Sequence, residues 1–396
     1  MHLSDRINSL SESQTIAMAR RSRELRAQGV DIISLSLGEP DFKTPEPVKL
    51  AAKRAIEEDF SYYTHVSGYV ELRDAIARKF KRDNNLDFTA DNIVVSTGAK
   101  QSIANAVLSL VNPGDEVLVP APYWVSYIEI NKLAEAKSVI IPATIDADFK
   151  VTAEQIRNAI TPKTRLLIFS SPCNPTGSVY TKEELKAIAE VIAKHPDIYI
   201  ISDEIYEHIR FAGKHESIAQ FDFIKDRVVT VNGVSKSFAM TGWRVGYIGA
   251  HKEIAKACDK MQGQFTSATC SIAQKAAHAA VEMDPSSIEP MRKAFHQRRD
   301  LVLKLMKDIP GMNANLPMGA FYVFPEVSHY FGKGAGGIKV NNGTDLCAYL
   351  LDKAHVALVP GAAFGDDRYI RFSYATSEDK LTEALKRMKN ALADLK

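Results

Sequence analysis

Cysteine is scarce in this chain, and the few cysteines stand far apart. They are Cys173, Cys258, Cys270 and Cys347, and no two of them form a CxxC pair. A disulfide framework and a cysteine-based zinc site both need closely patterned cysteines, so we expect neither. Isolated thiols are typical of a reducing compartment, and we therefore expect a cytoplasmic protein.

Histidines with the spacing of metal ligands are also missing. His195, His208 and His215 do not form an HExxH motif or a comparable pattern. Such a motif would place two imidazoles on one helix face, where they can bind zinc together. We expect no metal site.

The chain has no long apolar run and no excess of charge of either sign. The N-terminal sequence MHLSDRINSLSESQTIAMARR lacks the apolar segment of a signal peptide, so we expect none. No segment approaches the roughly 20 apolar residues that a membrane span needs. The 50 Lys and Arg residues nearly balance the 48 Asp and Glu residues, which leaves a net charge of +2. We therefore expect neither a membrane nor a nucleic acid as a partner.

What the sequence does contain is an alternation of short β-branched segments with helical segments. The 396 residues are 45% hydrophobic, enough for two or three domains with apolar cores. Predicted strands cover 92–98, 115–122, 138–143, 165–172, 197–206, 227–233 and 246–250. A predicted helix at 181–195 begins with Thr181 and Glu184 at the spacing of a capping box. The alternation predicts an α/β fold with a mainly parallel sheet covered by helices on both faces.

The two ends of the chain differ in pattern from its middle. Residues 14–28 form a predicted amphipathic helix that ends at Gly29. After about residue 288, long charged helices alternate with short strands. We therefore predict a large α/β domain at 45–288. A smaller α+β domain would combine 289–396 with part of the segment 1–44, which also forms an N-terminal arm.

Small residues follow the first predicted strand of the large domain. After NIVV come Ser96, Thr97, Gly98, Ala99 and Lys100, which open a helix. Ligands of open α/β sheets bind at the carboxyl ends of the strands, and a helix N-terminus with free N–H groups suits a phosphate. The alternative is an ordinary strand-to-helix turn that binds nothing.

Two further strand ends carry polar groups that suggest a site. Asp203 directly follows the apolar segment IYII and precedes Tyr206, and Asn174 lies between two prolines in SSPCNPTG. A carboxylate at the end of a buried strand is costly without a partner, so a cationic or protonated group is expected beside Asp203. X-Pro bonds that are cis would fix the direction of the Asn174 side chain. The alternatives are a helix N-cap at Asp203 and a rigid loop without chemistry around Asn174.

Two cations lie in the mostly small and apolar segment VNGVSKSFAMTGWRVG. Lys236 comes just after a predicted strand, and Arg244 follows eight positions later. A lysine held among apolar groups has a lowered pKa, and its neutral amine is a nucleophile toward carbonyls. Arg244 is suited to an anion. The alternative is a pair of surface cations.

Together these groups match the requirements of pyridoxal 5′-phosphate (PLP). Its aldehyde reacts with a lysine, and its phosphate needs a helix N-terminus and an arginine. Its pyridine nitrogen needs a carboxylate to stay protonated, which makes the ring a strong electron sink. The sequence therefore predicts Lys236 at the aldehyde and Arg244 at the phosphate.

The sequence resembles the class I aminotransferases of PLP fold type I, and among them the bacterial aspartate aminotransferases. The resemblance rests on motifs in family order over almost the whole chain: LGEPDF, STGAKQ, APYWVSY, SSPCNPTG, ISDEIYEH, SKSFAMTGWRVGY, GAFYVF and YIRFSYA. It implies a seven-stranded sheet in the large domain, a homodimer with shared active sites, and ping-pong transamination.

The resemblance also implies a role for each matching residue. Lys236 binds the cofactor aldehyde and shuttles the proton, Asp203 pairs with the ring nitrogen, and Tyr206 and Asn174 contact the phenolic oxygen. Trp124 stacks on the ring, where an aromatic face suits a flat π-system. The remaining cofactor contacts are made by Gly98, Ala99, Lys100 and Arg244 at the phosphate, and by Tyr63 at the phosphate of the neighbouring subunit.

For the substrate, the resemblance implies that Arg371 binds the α-carboxylate through its planar fork. Gly38 lets the backbone approach that carboxylate, and Trp124 and Asn174 also contact the substrate. Lys100 and Thr15 would bind a distal carboxylate, which favours aspartate with 2-oxoglutarate.

Other substrates and activities stay open at this point. Prephenate and aromatic 2-oxo acids are alternatives, because Lys100 suits them too and Phe265 is apolar where some relatives are more polar. A C–S β-lyase would also use Lys236. An effector domain of a transcription regulator would need a preceding DNA-binding domain, and SLGEPDF already begins at residue 36.

One position departs from the pattern of the family. Many members have a phosphate-binding serine three residues before the lysine, and this chain has Gly233 there. Ser235 is one residue that could replace it, and we make no assignment from the sequence.

Overall fold

A seven-stranded sheet is the centre of the computed structural model, which describes residues 2–12 and 14–396. Its strands are β2 (Ile93–Ser96), β3 (Glu116–Ala121), β4 (Lys137–Pro142), β5 (Thr164–Ser170), β6 (Tyr199–Asp203), β7 (Val228–Gly233) and β8 (Gly246–Gly249). The spatial order is β2-β8-β7-β6-β5-β3-β4. Only β8 runs antiparallel to its neighbours, β2 and β7. The predicted mainly parallel, seven-stranded sheet is confirmed.

Alternate residues of these strands enter two separate apolar cores, one on each face of the sheet. Leu167 and Ile200 belong to one buried cluster, and Leu166 and Ile201 belong to the other. Side chains of a strand point alternately to opposite faces, so a strand buried on both faces is apolar throughout. This is the physical reason for the continuous apolar runs in the sequence.

Thirteen α-helices occur within the described residues. They are α1 (Asp5–Ser9), α2 (Gln14–Ala27), α3 (Glu46–Glu57), α4 (Val70–Lys79), α5 (Ala99–Leu110), α6 (Ser126–Leu133), α7 (Ala153–Ala159), α8 (Lys182–Ala193), α9 (Lys252–Phe265), α10 (Ser271–Glu282), α11 (Glu289–Met306), α12 (Gly343–Lys353) and α13 (Glu378–Ala393). The capping box predicted for α8 is present, since Thr181 Oγ1 accepts from the Glu184 N–H and Glu184 Oε2 accepts from the Thr181 N–H. None of the described helices has the length and apolar character needed to cross a bilayer.

Short strands join the two ends of the chain. They are β1 (Ile33–Ser34), β9 (Tyr322–Val323), β10 (Gly334–Ala335), β11 (Ile338–Lys339), β12 (Val356–Ala357), β13 (Val359–Pro360) and β14 (Ile370–Ser373). β1 pairs in parallel with β12, while β13, β14 and β9 form an antiparallel sheet. The N-terminal and C-terminal segments thus build one α+β part, as predicted. The domain boundaries 1–44, 45–288 and 289–396 stay predictions.

The sheet also explains why distant polar residues meet. β2, β5, β6 and β7 run in the same direction, and they end at Ser96, Ser170, Asp203 and Gly233. The polar groups that follow these strands therefore gather at one edge of the sheet.

Candidate active site

A cavity of about 250 Å³ lies at the carboxyl edge of the large sheet. Most of the predicted site residues line it: Thr15, Gly38, Ala99, Lys100, Trp124, Asn174, Asp203, Tyr206, Lys236, Arg244 and Arg371. Gly98 lies directly beside it, because it precedes Ala99 and contacts Arg244. Tyr63 lies elsewhere and is 98% exposed in the single chain. The fold thus brings together residues from α2 to β14.

Lys236 lies three residues after the end of β7 and points into this cavity. Its Nζ atom donates a hydrogen bond to the carbonyl oxygen of Gly38 at 2.6 Å. Burial, and then the nearby charge of Arg371, lower the pKa of Lys236 to about 8. A larger fraction of its amine is therefore neutral near pH 7 than in an exposed lysine. A neutral amine is the form that attacks an aldehyde.

Asp203 is the last residue of β6 and is buried. Its Oδ2 atom accepts from the Tyr127 hydroxyl at 2.8 Å, and its Oδ1 atom accepts from the Ile205 N–H at 3.3 Å. Burial raises the pKa of Asp203 to about 6, and the hydrogen bond from Tyr127 is the largest opposing effect. The carboxylate can therefore hold a proton on a basic nitrogen placed beside it.

The N-terminus of α5 and Arg244 form the cationic side of the cavity. Gly98, the N-cap of α5, has a φ of 85°, and a Cβ atom there would lie 2.1 Å from Arg244 Nη2. Only glycine fits this backbone conformation and this close approach. Arg244 Nη1 donates to the Thr241 carbonyl oxygen at 3.0 Å. A guanidinium beside free helix N–H groups is suited to a phosphate.

Arg371 on β14 is buried, and only some of its hydrogen-bond donors have partners among the described residues. Its Nη1 atom donates to Asn174 Oδ1 at 2.9 Å, and its Nη2 atom donates to the Ser36 carbonyl oxygen at 2.6 Å. The Nε atom is buried and has no hydrogen-bond partner among the described residues. The guanidinium carbon lies 4.6 Å from the ring centre of Tyr322 and 4.8 Å from that of Phe364. A positioned guanidinium with a free Nε–H is suited to a carboxylate ligand.

Lys100 supplies another cation to the same cavity. Its Nζ atom lies 5.3 Å from the ring centre of Trp124. Desolvation, and then the charge of Arg244, lower the pKa of Lys100, while no acidic group contributes to the shift. Thr15 of α2 brings a hydroxyl to the cavity. Lys100 is therefore available to an anionic group of a ligand.

Several cavity residues were missed in the sequence. Tyr322 shares a 2.8 Å hydrogen bond with the Tyr206 hydroxyl, and a Cβ atom on Gly38 would lie 1.8 Å from Tyr322 Oη. Ser170 also lines the cavity. Ser170 ends a strand, so the strand-end rule could have found it. Tyr322 lies in GAFYVF, which carries no signal for a contact with Tyr206.

The structure explains the departure at Gly233. It pairs with Gly246 across β7 and β8, and a Cβ atom there would lie 2.9 Å from Gly246 Cα and 2.9 Å from the Val245 carbonyl oxygen. Both contacts are with backbone, which cannot move away cheaply. A serine therefore does not fit here without a shift of β8, whereas Ser235 already lines the cavity.

A buried polar cluster outside the cavity supports the loop that carries Tyr206. Lys79 of α4 is 3% exposed and pairs with Glu207, which also accepts from Asn84 Nδ2 at 2.7 Å. Glu204 contacts His215 Nε2 at 2.8 Å. These carboxylates lie on either side of Tyr206 in the sequence, so the cluster anchors this loop to α4 and to the segment around His215.

The sequence profile of the family described as aminotransferase class I and II matches residues 30–388. The chain belongs to this family. It is therefore an aminotransferase, and it uses PLP as the family does.

Several curated aminotransferases are similar over nearly the full length of this chain. A bifunctional aspartate aminotransferase and glutamate/aspartate-prephenate aminotransferase of Petunia hybrida is 50% identical and covers 100% of this chain and 83% of its own length. An aspartate/prephenate aminotransferase of Cereibacter sphaeroides is 44% identical and covers 99% of each chain.

Solved structures of aspartate aminotransferases have the same fold. The enzyme from Rhizobium meliloti is 42% identical, covers 100% of both chains and superposes with a TM-score of 0.96. The Thermus thermophilus enzyme with maleate is 40% identical, covers 99% of this chain and 100% of its own, and has a TM-score of 0.93.

The cavity of this aminotransferase fits PLP chemically. It combines a lysine of lowered pKa, a buried carboxylate, and an arginine that packs closely against Gly98. A Cβ atom on this glycine would collide with the guanidinium. These are the groups that an aldehyde, a pyridine nitrogen and a phosphate require.

Proposed function

We propose that this aminotransferase moves the amino group of L-aspartate to 2-oxoglutarate, giving oxaloacetate and L-glutamate. The observation that supports this most is the presence of Arg371 and Lys100 in one cavity with Lys236. Arg371 would bind the α-carboxylate, and Lys100 with Thr15 would bind the distal carboxylate. A dicarboxylic donor and a dicarboxylic acceptor both meet these two cations.

We further propose a division of work among the residues around the cofactor. Bound PLP supplies an electron sink for the substrate α-carbon. Lys236 holds the cofactor covalently at rest. Its freed Nζ atom then takes the proton from the substrate α-carbon and delivers it to C4′ of the cofactor. Asp203 keeps the ring nitrogen protonated. This division rests on the lowered pKa of Lys236 and the burial of Asp203.

The remaining cavity residues would hold the cofactor in place. Tyr206 and Asn174 are proposed to contact the phenolic oxygen, and Trp124 the face of the ring. The phosphate would be bound by Arg244, the backbone N–H groups of residues 98–100, and the hydroxyl of Ser235. Ser235 is proposed because it lines the cavity and Gly233 cannot supply a hydroxyl.

Replacing Lys236 with alanine tests the proposal at its centre. We expect the variant to lose the visible absorbance of the lysine-bound cofactor and to lose transamination, because no other amine is proposed to do this work. A variant with near-normal turnover would contradict the mechanism whatever the substrate is.

Replacing Lys100 with methionine tests the substrate class. A hydrogen bond to a charged group contributes about 1.5–3 kcal/mol, so kcat/KM for aspartate should fall roughly 10- to 100-fold. The value for alanine, which has no distal carboxylate, should change less than about threefold by the same reasoning. Lys260→Met is the matched control, since Lys260 is exposed on α9 and outside the cavity. An equal loss for both donors would show that Lys100 does not read the distal carboxylate.

Prephenate is the second candidate acceptor. Relatives named aspartate/prephenate aminotransferase occur in Cereibacter sphaeroides and Nitrosomonas europaea. Prephenate has two carboxylates, so Arg371 and Lys100 suit it as well. A panel of donors (aspartate, glutamate, phenylalanine, alanine and kynurenine) with 2-oxoglutarate and prephenate as acceptors separates these substrates. Pyruvate and ammonia formed without an acceptor would indicate a β-lyase instead.

We also propose a homodimer in which Tyr63 of the partner subunit completes the phosphate site. Tyr62 and Tyr63 are 82% and 98% exposed, and Ile56 is 60% exposed, so these large side chains are accessible to a partner surface. Mixing Lys236→Ala chains with Tyr63→Ala chains should form hybrid dimers. In each hybrid, one site combines an intact Lys236 with an intact Tyr63 of the partner subunit, and this site should bind PLP with parental affinity. A monomer by light scattering would refute the arrangement.

A cytoplasmic location is proposed as well. It is supported by the four cysteines, which are all free thiols in the structure. Cell fractionation with an antibody against the chain tests it, and recovery from an oxidising compartment would contradict it.

A further inference from the structure

We propose that Tyr127 is a positioning residue that keeps Asp203 ionised and oriented toward the cofactor ring nitrogen. The inference rests on the role proposed above for Asp203. Tyr127 lies in the sequence APYWVSY, next to residues assigned to the site, but it does not itself line the cavity.

The geometry places Tyr127 behind Asp203. Tyr127 is the second residue of α6 and is 1% exposed, with its ring in the apolar core on one face of the sheet. Its hydroxyl donates to Asp203 Oδ2 at 2.8 Å. A buried tyrosine hydroxyl needs a partner, and here the partner is a buried carboxylate and not a backbone carbonyl. One bond therefore satisfies two buried polar groups that are 76 residues apart.

The hydrogen bond from Tyr127 leaves Asp203 able to accept a hydrogen bond from a further donor. A carboxylate has about four acceptor positions on two oxygens. The Tyr127 hydroxyl and the Ile205 N–H occupy two of them. The side-chain torsion of Asp203 is thereby held from both oxygens, while the group still lines the cavity.

The contact also favours the charged form of Asp203. The titratable groups near this carboxylate include Tyr127, Glu204, Lys236, Tyr206 and Cys173. Burial and the charge of Glu204 raise the pKa of Asp203, whereas Tyr127 and Lys236 lower it. A hydroxyl that donates to a carboxylate favours ionisation, so its loss would leave more Asp203 neutral and less able to hold a protonated ring nitrogen.

Tyr127 also supports Trp124, so the test must keep its ring. The two ring centres are 5.5 Å apart with an interplanar angle of 86°, an edge-to-face contact. Tyr127→Phe preserves this contact and removes only the hydroxyl. Tyr349→Phe is the matched control, because Tyr349 is equally buried and its hydroxyl donates to the Ala391 carbonyl oxygen at 2.8 Å, far from the cavity.

The experiment measures PLP affinity, spectrum and steady-state kinetics on the full-length enzyme. Loss of a hydrogen bond to a charged group predicts a rise of roughly tenfold in the dissociation constant of PLP for Tyr127→Phe. We expect kcat to fall by a similar factor while KM for aspartate stays within about twofold, because the substrate carboxylates are bound elsewhere. The visible absorbance of the lysine-bound cofactor is retained. Tyr349→Phe changes none of these quantities.

A double-mutant cycle on PLP affinity gives the decisive outcome. In an Asp203→Asn background, which has no ionised carboxylate to hold, Tyr127→Phe should weaken PLP binding less than twofold. Parental affinity and kcat for Tyr127→Phe, or the same tenfold loss in both backgrounds, would overturn the inference. Either result leaves the proposed function standing, because that function is tested separately by Lys236→Ala and by the donor and acceptor panel.

Discussion

Replacing Arg371 with lysine would keep a positive charge on β14 but remove the planar fork of donors. The guanidinium donates to Asn174 Oδ1 at 2.9 Å and to the Ser36 carbonyl oxygen at 2.6 Å, and its Nε–H has no partner among residues 2–12 and 14–396. One ammonium cannot hold both acceptors and also bind a carboxylate at two points. It would also lose the planar packing between Tyr322 and Phe364.

The expected loss can be worked out from these contacts. One buried acceptor left without a donor costs about 1–3 kcal/mol, and one lost charge-assisted bond to the substrate costs about 1.5–3 kcal/mol. The sum of roughly 2.5–6 kcal/mol corresponds to a fall of about 10²- to 10⁴-fold in kcat/KM for aspartate.

The assay is steady-state transamination of aspartate with saturating 2-oxoglutarate, with the visible spectrum of the bound cofactor recorded in parallel. The spectrum should stay parental, because Arg371 is proposed to bind substrate and not PLP. Arg368→Lys is the control, since Arg368 pairs with Asp366 on the surface. A kcat/KM for Arg371→Lys within about threefold of the parent enzyme would refute the carboxylate role, given the magnitudes above.

Other predictions follow from the same site. Gly98→Ala should weaken PLP binding at least about tenfold by displacing Arg244. Gly114 is the control, because it has the same φ of 85° but lies in open space. Gly114→Ala should lower the stability of the fold by about 1–2 kcal/mol through backbone strain and leave PLP binding unchanged. Equal effects of the two substitutions would rule out the contact with Arg244. The rate of PLP capture by the apoenzyme should rise roughly tenfold per pH unit up to the pKa of about 8 at Lys236, then level off as the amine becomes fully neutral. Dividing by the rate for methoxyamine, which is neutral over this pH range, removes the ionisation of PLP itself, and a corrected rate that is still climbing steeply at pH 10 would contradict the lowered pKa. Gly233→Ser should lower the free energy of unfolding by about 1–3 kcal/mol through overpacking. Denaturant unfolding of the apoenzyme measures this change. Tighter PLP binding by the variant would contradict the steric argument.

Much of the candidate site was predictable because its residues follow strands that can be read from the sequence. Asp203 comes directly after IYII, and Lys236 comes three residues after VVTVNG. Apolar runs mark the strands, and parallel strands end at a common edge. The resemblance to a known family then added residues such as Arg371, whose surroundings in the sequence, YIRFSYA, predict only a strand.

The contacts of Tyr322 and Tyr127 could not be predicted in this way. Tyr322 meets the Tyr206 hydroxyl across the junction between the large sheet and the α+β part, and Tyr127 meets Asp203 from a helix. In each case the hydrogen bond depends on how two elements pack, and each element could have buried an apolar ring equally well. A sequence pattern can predict that a tyrosine is buried, but it does not predict which group its hydroxyl will bond.

By itself, the sequence determined the α/β class, the positions of the strands and the residues that stand at their ends, because these depend on local periodicity and on turn chemistry. Tertiary structure alone decided that the Nε–H of Arg371 has no partner in the described part of the chain, that the pKa of Lys236 falls to about 8, and that a side chain at position 233 has no room. These properties arise from desolvation and from distances between groups that are tens to hundreds of residues apart, and both exist only after the elements have packed.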